Sequence, residues 1–166
     1  MPILDERTFE FFSYSPEQTR RLGIHVGSYL NKGDVVCLEG DLGAGKTTLV
    51  QGIGQGWGTL DRVTSPTFVI VNEYRRLNHE RLVHLDAYRL RDAQDAEALD
   101  FDRLLTNGTL VIEWAERIKN ILPEQHLWIQ FSYRDLEQRT MLLTAHGDRF
   151  ETLLTDLRRK IYGVFS

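Results

Sequence analysis

The 166-residue chain carries 20 basic and 24 acidic residues, a net charge of −4, and 42% of its residues are apolar while 27% are charged. That is the size and mixture of one globular domain spanning residues 1–166, which excludes a collagenous, low-complexity or wholly disordered chain, and its negative balance disfavours direct tight binding to a nucleic-acid backbone. A single cysteine, Cys37, makes no internal disulfide and leaves no Cys-rich metal site, the usage expected of a reducing compartment with cytoplasm as the default.

Thr8–Ser13 is predicted as a first strand. Ser15, Pro16 and Gln18 then supply a helix start, with a capping hydroxyl, a first-turn proline and a capping-box glutamine. Leu22, Val26 and Leu30 give that helix an apolar stripe before Asn31 and Gly33 stop it. Val35–Glu39 reads as a buried parallel strand that empties into a glycine-rich turn. A helix should begin near Lys46 and run to glycines 52, 54, 56 and 58, whose density predicts a frayed or loop-like end.

Phe68–Tyr74 and Leu82–Tyr88 are β-rich and closely spaced, which predicts an antiparallel hairpin, and a polar helical stretch follows around Ala93–Leu105. Thr109–Trp114 is a second buried-strand signature, with a short helix closed by Pro123 after it. Strands His126–Tyr133 and Thr140–Ala145 come next. A terminal helix places Phe150, Leu153, Leu154, Leu157 and Ile161 on one core-facing stripe. This alternation predicts an α/β layered fold with a mixed, mainly parallel central sheet flanked by helices, and the phosphate-loop pattern at Gly40–Thr47 makes that fold P-loop NTPase-like. Asp5, Glu6 and Arg7 stand where an export signal would be basic and then apolar, and no window nears the ~18 apolar residues of a membrane span, so the expectation is neither export nor membrane association.

Gly40-Asp41-Leu42-Gly43-Ala44-Gly45-Lys46-Thr47 matches the eight-position phosphate-loop (Walker A) pattern, between a buried strand and a helix as the mechanism requires. Glycines let backbone amides turn inward, and those amides with the helix N-terminus form a nest for polyphosphate oxygens. Lys46 would reach the β- and γ-phosphates, Thr47 would ligate Mg²⁺, and Thr48 would add a hydroxyl bond. A tight structural turn alone would not call for Lys-Thr at the start of the following helix.

One hydroxyl does not hold Mg²⁺ against its hydration preference, so an acid on a neighbouring strand is needed. Glu113 ends the run Leu110-Val111-Ile112, and Asp86 ends Leu82-Val83-His84-Leu85. Either carboxylate could simply cap a strand; as a functional pair, Glu113 is assigned to the metal and Asp86 to the attacking water, making Lys46 and Asp86 the expected catalytic residues. Asn31-Lys32-Gly33-Asp34 spells the guanine-reading NKxD pattern but precedes the phosphate loop, where GTPases place it well after, so guanine specificity is discounted. His79-Glu80 with His84 misses zinc-protease spacing, which leaves His84 as a packing or hydrogen-bonding residue.

Residues 40–48, Ser65-Pro66-Thr67-Phe68, His84-Leu85-Asp86-Ala87-Tyr88-Arg89-Leu90 and Val111-Ile112-Glu113-Trp114, in that order and spacing, resemble the TsaE ATPases of bacterial tRNA threonylcarbamoyladenosine biosynthesis. The likeness runs from about Ser15 to Gly147. It implies a Mg²⁺-dependent ATPase that associates with TsaB and TsaD and supports their threonylcarbamoyl transfer to adenosine 37 of tRNA, with tRNA contacted only indirectly. It further implies a phosphate loop at Gly40–Thr48, metal ligands Thr47 and Glu113, a water-orienting Asp86, a switch-like segment at Ser65–Phe68, and an ATP-contacting Arg139. Trp114 reads equally as the family's aromatic after the acid or as a core-edge indole. Two other function classes stand beside this one: a small-molecule P-loop kinase, which would want an arginine-bearing lid and an acceptor pocket and for which Arg89 and Arg91 could be misread as the lid, and a nucleotide-dependent interaction protein with slow hydrolysis.

Overall fold

The computed structural model describes residues 6–41, 45–63, 71–88, 90, 94–95, 100–106 and 108–163. Its elements are β1 (Thr8–Ser13), α1 (Pro16–Ser28), β2 (Val35–Glu39), α2 (Lys46–Trp57), β3 (Val71–Arg75), β4 (Arg81–Asp86), α3 (Phe101–Thr106), β5 (Gly108–Glu113), a 3-10 helix (Ala115–Ile121), β6 (His126–Asp135), β7 (Gln138–His146) and α4 (Asp148–Tyr162). One seven-stranded sheet runs in the order β1-β7-β6-β2-β5-β4-β3. Its centre, β6-β2-β5-β4, is parallel, and antiparallel pairs finish both sides. This is the mixed α/β sheet expected from the sequence, with the β3–β4 hairpin in place; residues 68–70 and most of 91–99 lie outside the described residues. Among the described residues no helix is long and apolar enough to cross a membrane.

The uninterrupted apolar runs of the parallel strands follow from burial on both faces. Val36 and Leu38 of β2 join the cluster under α1, α2 and α4, whereas Val35 and Cys37 join the opposite cluster with Leu110, Ile112 and Ile118. Burial pushes the Cys37 thiol far above its ordinary range. At the start of α1 the Ser15 hydroxyl accepts from Gln18 N at 3.2 Å as a cap should, while Gln18 Oε1 accepts from Tyr14 N at 2.8 Å, one residue before the amide a capping box would use.

The expected frayed end of α2 is corrected by the structure. Glycines 52, 54 and 56 lie inside a continuous helix that ends only at Gly58, in the left-handed region at φ 98°. A Cβ built on Gly52 would stand 2.1 Å from Arg20 O, and on Gly56 1.9 Å from Ile24 O; reciprocally, Gly23 and Gly27 of α1 would strike Leu49 O at 2.4 Å and Ile53 O at 2.1 Å. These glycines let two helix backbones touch, and the tertiary contact outweighs their poor helix propensity.

Asp34 of the discounted NKxD pattern is buried and structural. Its carboxylate accepts from Asn31 N at 2.7 Å and from Arg149 of α4 at 2.8 Å, while Arg149 also donates to Tyr29 O at 2.6 Å. The pair ties the α1–β2 turn to the last helix.

Gly56→Ala should lower stability by about 2–3 kcal/mol in urea denaturation, because backbone must move to admit the methyl group. Gly33→Ala, at φ 93° with nothing near its built Cβ, should cost only about 1 kcal/mol; equal losses would deny the close helix contact its role. Asp34→Ala leaves the Arg149 guanidinium without its carboxylate and should cost about 3 kcal/mol, with no change in preference between adenine and guanine nucleotides in a competition titration.

Candidate active site

β2 carries the chain to Glu39 at the C-terminal edge of the parallel strands, and Gly40 and the exposed Asp41 begin the loop beyond it. Leu42, Gly43 and Ala44 lie outside the described residues. The chain re-enters at Gly45, left-handed at φ 99°, ψ 11°, and Lys46 opens α2. A side chain at Gly45 would carry a strain of about 1–2 kcal/mol. Thr47 and Thr48, both half-buried, follow in the first turn, where backbone N–H groups of a helix have no partner within the helix.

Lys46 is 5% exposed. Its ammonium donates to Gly40 O at 2.6 Å, closing the loop on itself, and stands 3.6 Å from the centroid of the Trp114 ring. Burial holds its pKa below the ordinary lysine value, against the opposing pull of Glu113, Glu116, Asp86 and Asp41. Trp114 itself is left-handed at φ 59°, ψ 39°, a conformation that costs a bulky residue about 1–3 kcal/mol and is held here by its surroundings. Its indole lies 4.9 Å from the Tyr88 ring and packs at the margin of the second apolar cluster. The two readings of Trp114 thus coincide: one ring edges the core and covers the lysine.

The two strand-tip acids are direct cross-strand partners, Asp86 of β4 opposite Glu113 of β5. Glu113 is 5% exposed, and the fully buried His84 donates from Nε2 to its Oε2 at 2.5 Å. His84 therefore fixes one carboxylate oxygen of Glu113. Asp86 is half-buried, and its Oδ1 accepts from Tyr88 N at 2.9 Å. Acid, acid and ammonium gather around one strand edge, an arrangement suited to binding a polyanion and a hard cation.

Arg139 comes from β7 and reaches the same neighbourhood from the other flank. A Cβ built on Gly45 would lie 3.9 Å from Phe131 Cε2 and 4.0 Å from Arg139 Cγ. The guanidinium donates to Leu136 O at 2.6 Å and Gln138 O at 2.9 Å and lies over the Tyr133 ring. The switch-like segment Ser65–Phe68, Arg89 and Arg91 lie outside the described residues.

Sequence reasoning missed two members of the site. His84 was legible as a packing or hydrogen-bonding residue but not as the partner of Glu113, although its spacing of two from Asp86 puts both on one strand face. Glu116, in the 3-10 helix, had no signal beyond its charge; burial and then Glu39 push its carboxyl above the ordinary range, Lys46 and Arg117 oppose this, and its Oε1 is buried without a hydrogen-bond partner among the described residues.

A family model described as threonylcarbamoyl adenosine biosynthesis protein TsaE matches residues 13–141. The tRNA threonylcarbamoyladenosine biosynthesis protein TsaE of Bacillus subtilis is 37% identical over 145 residues, covering 87% of this chain and 90% of that protein. The protein of the same description in Streptomyces coelicolor is 42% identical over 139 residues, covering 80% of this chain and 94% of its own. Among solved structures, that of Bacillus subtilis YdiB superposes with a TM-score of 0.78 at 32% identity, covering 93% of this chain and 97% of its own. Sequence and fold agree over nearly the same span as the phosphate loop, the strand-tip acids and Arg139, and the chain belongs to the TsaE family.

Proposed function

We propose that this protein is a Mg²⁺-dependent ATPase that supports threonylcarbamoyl modification of adenosine 37 in tRNA together with TsaB and TsaD. The part in threonylcarbamoyladenosine biosynthesis comes with the family; hydrolysis, metal and partners are our reading of the site. The observation that carries it is the buried Lys46 ammonium at the head of α2, closed onto Gly40 and faced by acids on two adjacent strand tips.

The residues present fit the nucleotide and the ion. A buried ammonium at the head of a helix whose first-turn amides have no partner within the helix suits polyphosphate, and a carboxylate with one oxygen already fixed, together with the Thr47 hydroxyl of that turn, suits a hard cation that prefers oxygen ligands. Thr47 and Glu113 would hold Mg²⁺, which supplies charge neutralisation on the phosphate oxygens when bound. Lys46 contributes a point charge that a low-dielectric setting makes stronger than it would be in water. His84 keeps Glu113 in one orientation and so spares that carboxylate a rotameric cost. Asp86, with Oδ1 occupied by Tyr88 N, uses Oδ2 to orient water and accept its proton. By the phosphate-loop pattern Gly40, Asp41, Leu42, Gly43, Ala44 and Gly45 would cradle the phosphates, Thr48 would add a hydroxyl, and Arg139 approaches from β7.

The net charge of −4 favours indirect action on tRNA, through the partner proteins. Filter binding at physiological salt should find weak, salt-sensitive tRNA retention by this chain alone, and tight retention would overturn that part of the reading.

Lys46→Ala should weaken ATP·Mg²⁺ binding at least about a hundredfold in calorimetric titration, since the polyphosphate loses a buried countercharge. Unchanged affinity would remove the phosphate-loop assignment. The two acids should separate kinetically. Glu113→Ala should abolish the dependence of nucleotide affinity on Mg²⁺, whereas Asp86→Asn should keep the nucleotide bound and slow turnover by about a hundredfold or more, measured with TsaB and TsaD present. The reversed pattern would exchange their roles.

A further inference from the structure

A groove of about 360 Å³ lies away from the phosphate loop, where β1, one face of α1 and the end of α4 meet. It shares no residue with the loop or the strand-tip acids. Phe11, Leu22 and Ile161 give it an apolar floor, and Arg21, His25 and Lys160 stand around it. Arg21 and His25 are one turn apart on α1 and so share a helix face, and Lys160 approaches from α4, the basic run that the active site does not use. The positive charge is felt at His25: burial and then Lys160 and Arg21 hold its imidazole below the ordinary pKa and favour the neutral ring.

Among the described residues no carboxylate lines the groove, although acids outnumber bases in the chain as a whole. Arg21 and Lys160 present positive charge at the surface beside a partly buried imidazole, with no carboxylate among the described residues of the lining, and an anionic occupant complements that charge. The rim adds exposed aromatic surface, with Phe12 41%, Tyr14 58% and Tyr162 53% exposed. Aromatic rings on a rim of this kind are the typical anchors of protein contacts, apolar in body and, for tyrosine, polar at the tip. β1 is also the end strand of the sheet, with β7 on its one paired side.

We propose that this groove docks an acidic segment of a partner protein that carries an aromatic or aliphatic anchor residue. The anchor occupies the floor of Phe11, Leu22 and Ile161, and its flanking carboxylates meet Arg21, His25 and Lys160. Charge extent favours a protein segment over RNA. A nucleic-acid strand brings a phosphate with every nucleotide, and those beyond the groove face a chain of net −4; a protein segment places its charges only where the cations stand.

The test is selection of a displayed library of short random peptides on the full chain. Selected sequences should flank Phe, Tyr, Trp or Leu with Asp and Glu. A representative should lose about tenfold or more in affinity on Arg21→Glu with Lys160→Glu, and a measurable part of it on the milder Arg21→Gln with His25→Gln. Retained ATP binding and unchanged urea denaturation establish that the variants are folded. Failure to select any peptide, selection of peptides without acids, or affinity indifferent to the charge reversal would each overturn the proposal. Polyuridylate is run in parallel: binding tighter than the selected peptide and abolished by the same reversal would make the groove an RNA site instead.

Discussion

Everything near the active edge of this protein is organised around one buried ammonium. Lys46 leaves water at the point where β2 gives way to α2, and an isolated charge in that position would cost several kcal/mol. The surroundings offset this in three ways: the Gly40 carbonyl accepts a hydrogen bond, the Trp114 face lies over the charge, and the carboxylates of Glu113, Glu116, Asp86 and Asp41 supply compensating potential. No single one of these suffices. Their joint requirement explains why a bulky Trp114 is kept in a left-handed conformation and why acids are placed on two adjoining strand ends, where they would otherwise repel each other.

The phosphate loop was readable because all of its chemistry lies within eight consecutive positions, and strand-tip acids were readable because an apolar run followed by a carboxylate is also a local signal. What local patterns do not carry is register. Whether Asp86 sits opposite Glu113 or two residues away depends on how β4 and β5 pair, and only that pairing brings His84 onto the Glu113 carboxylate. The glycines of α2 failed for a related reason. Propensity assigns each a local penalty, whereas their purpose resides in Arg20 and Ile24 of a helix some thirty residues earlier. A matching spacing of four in Gly23 and Gly27 was present in the sequence as the complementary sign. Ser65–Phe68, which the family likeness marks as switch-like, lies outside the described residues and adds nothing to either side of this comparison.

The chain's electrostatics are local. A net charge of −4 conceals two regions of opposite character, an acid-ringed lysine at the strand ends and a basic groove of β1, α1 and α4 whose described lining carries no carboxylate. Composition sums these away. A whole-chain charge therefore bears on long polyanions, which sample the entire surface, and says little about short ligands, which sample one part of it.

The direct backbone contact of α1 with α2 has a mechanical consequence. Ordinary helix pairs meet through side chains, whose rotamers yield and absorb small displacements; where Gly52 and Gly56 lie on carbonyls of Arg20 and Ile24, that compliant layer is absent. The two helices therefore behave as one stiff plate. The helix that opens at Lys46 and the helix that bears Arg21 and His25 on the rim of the distant groove are thus held to each other backbone against backbone.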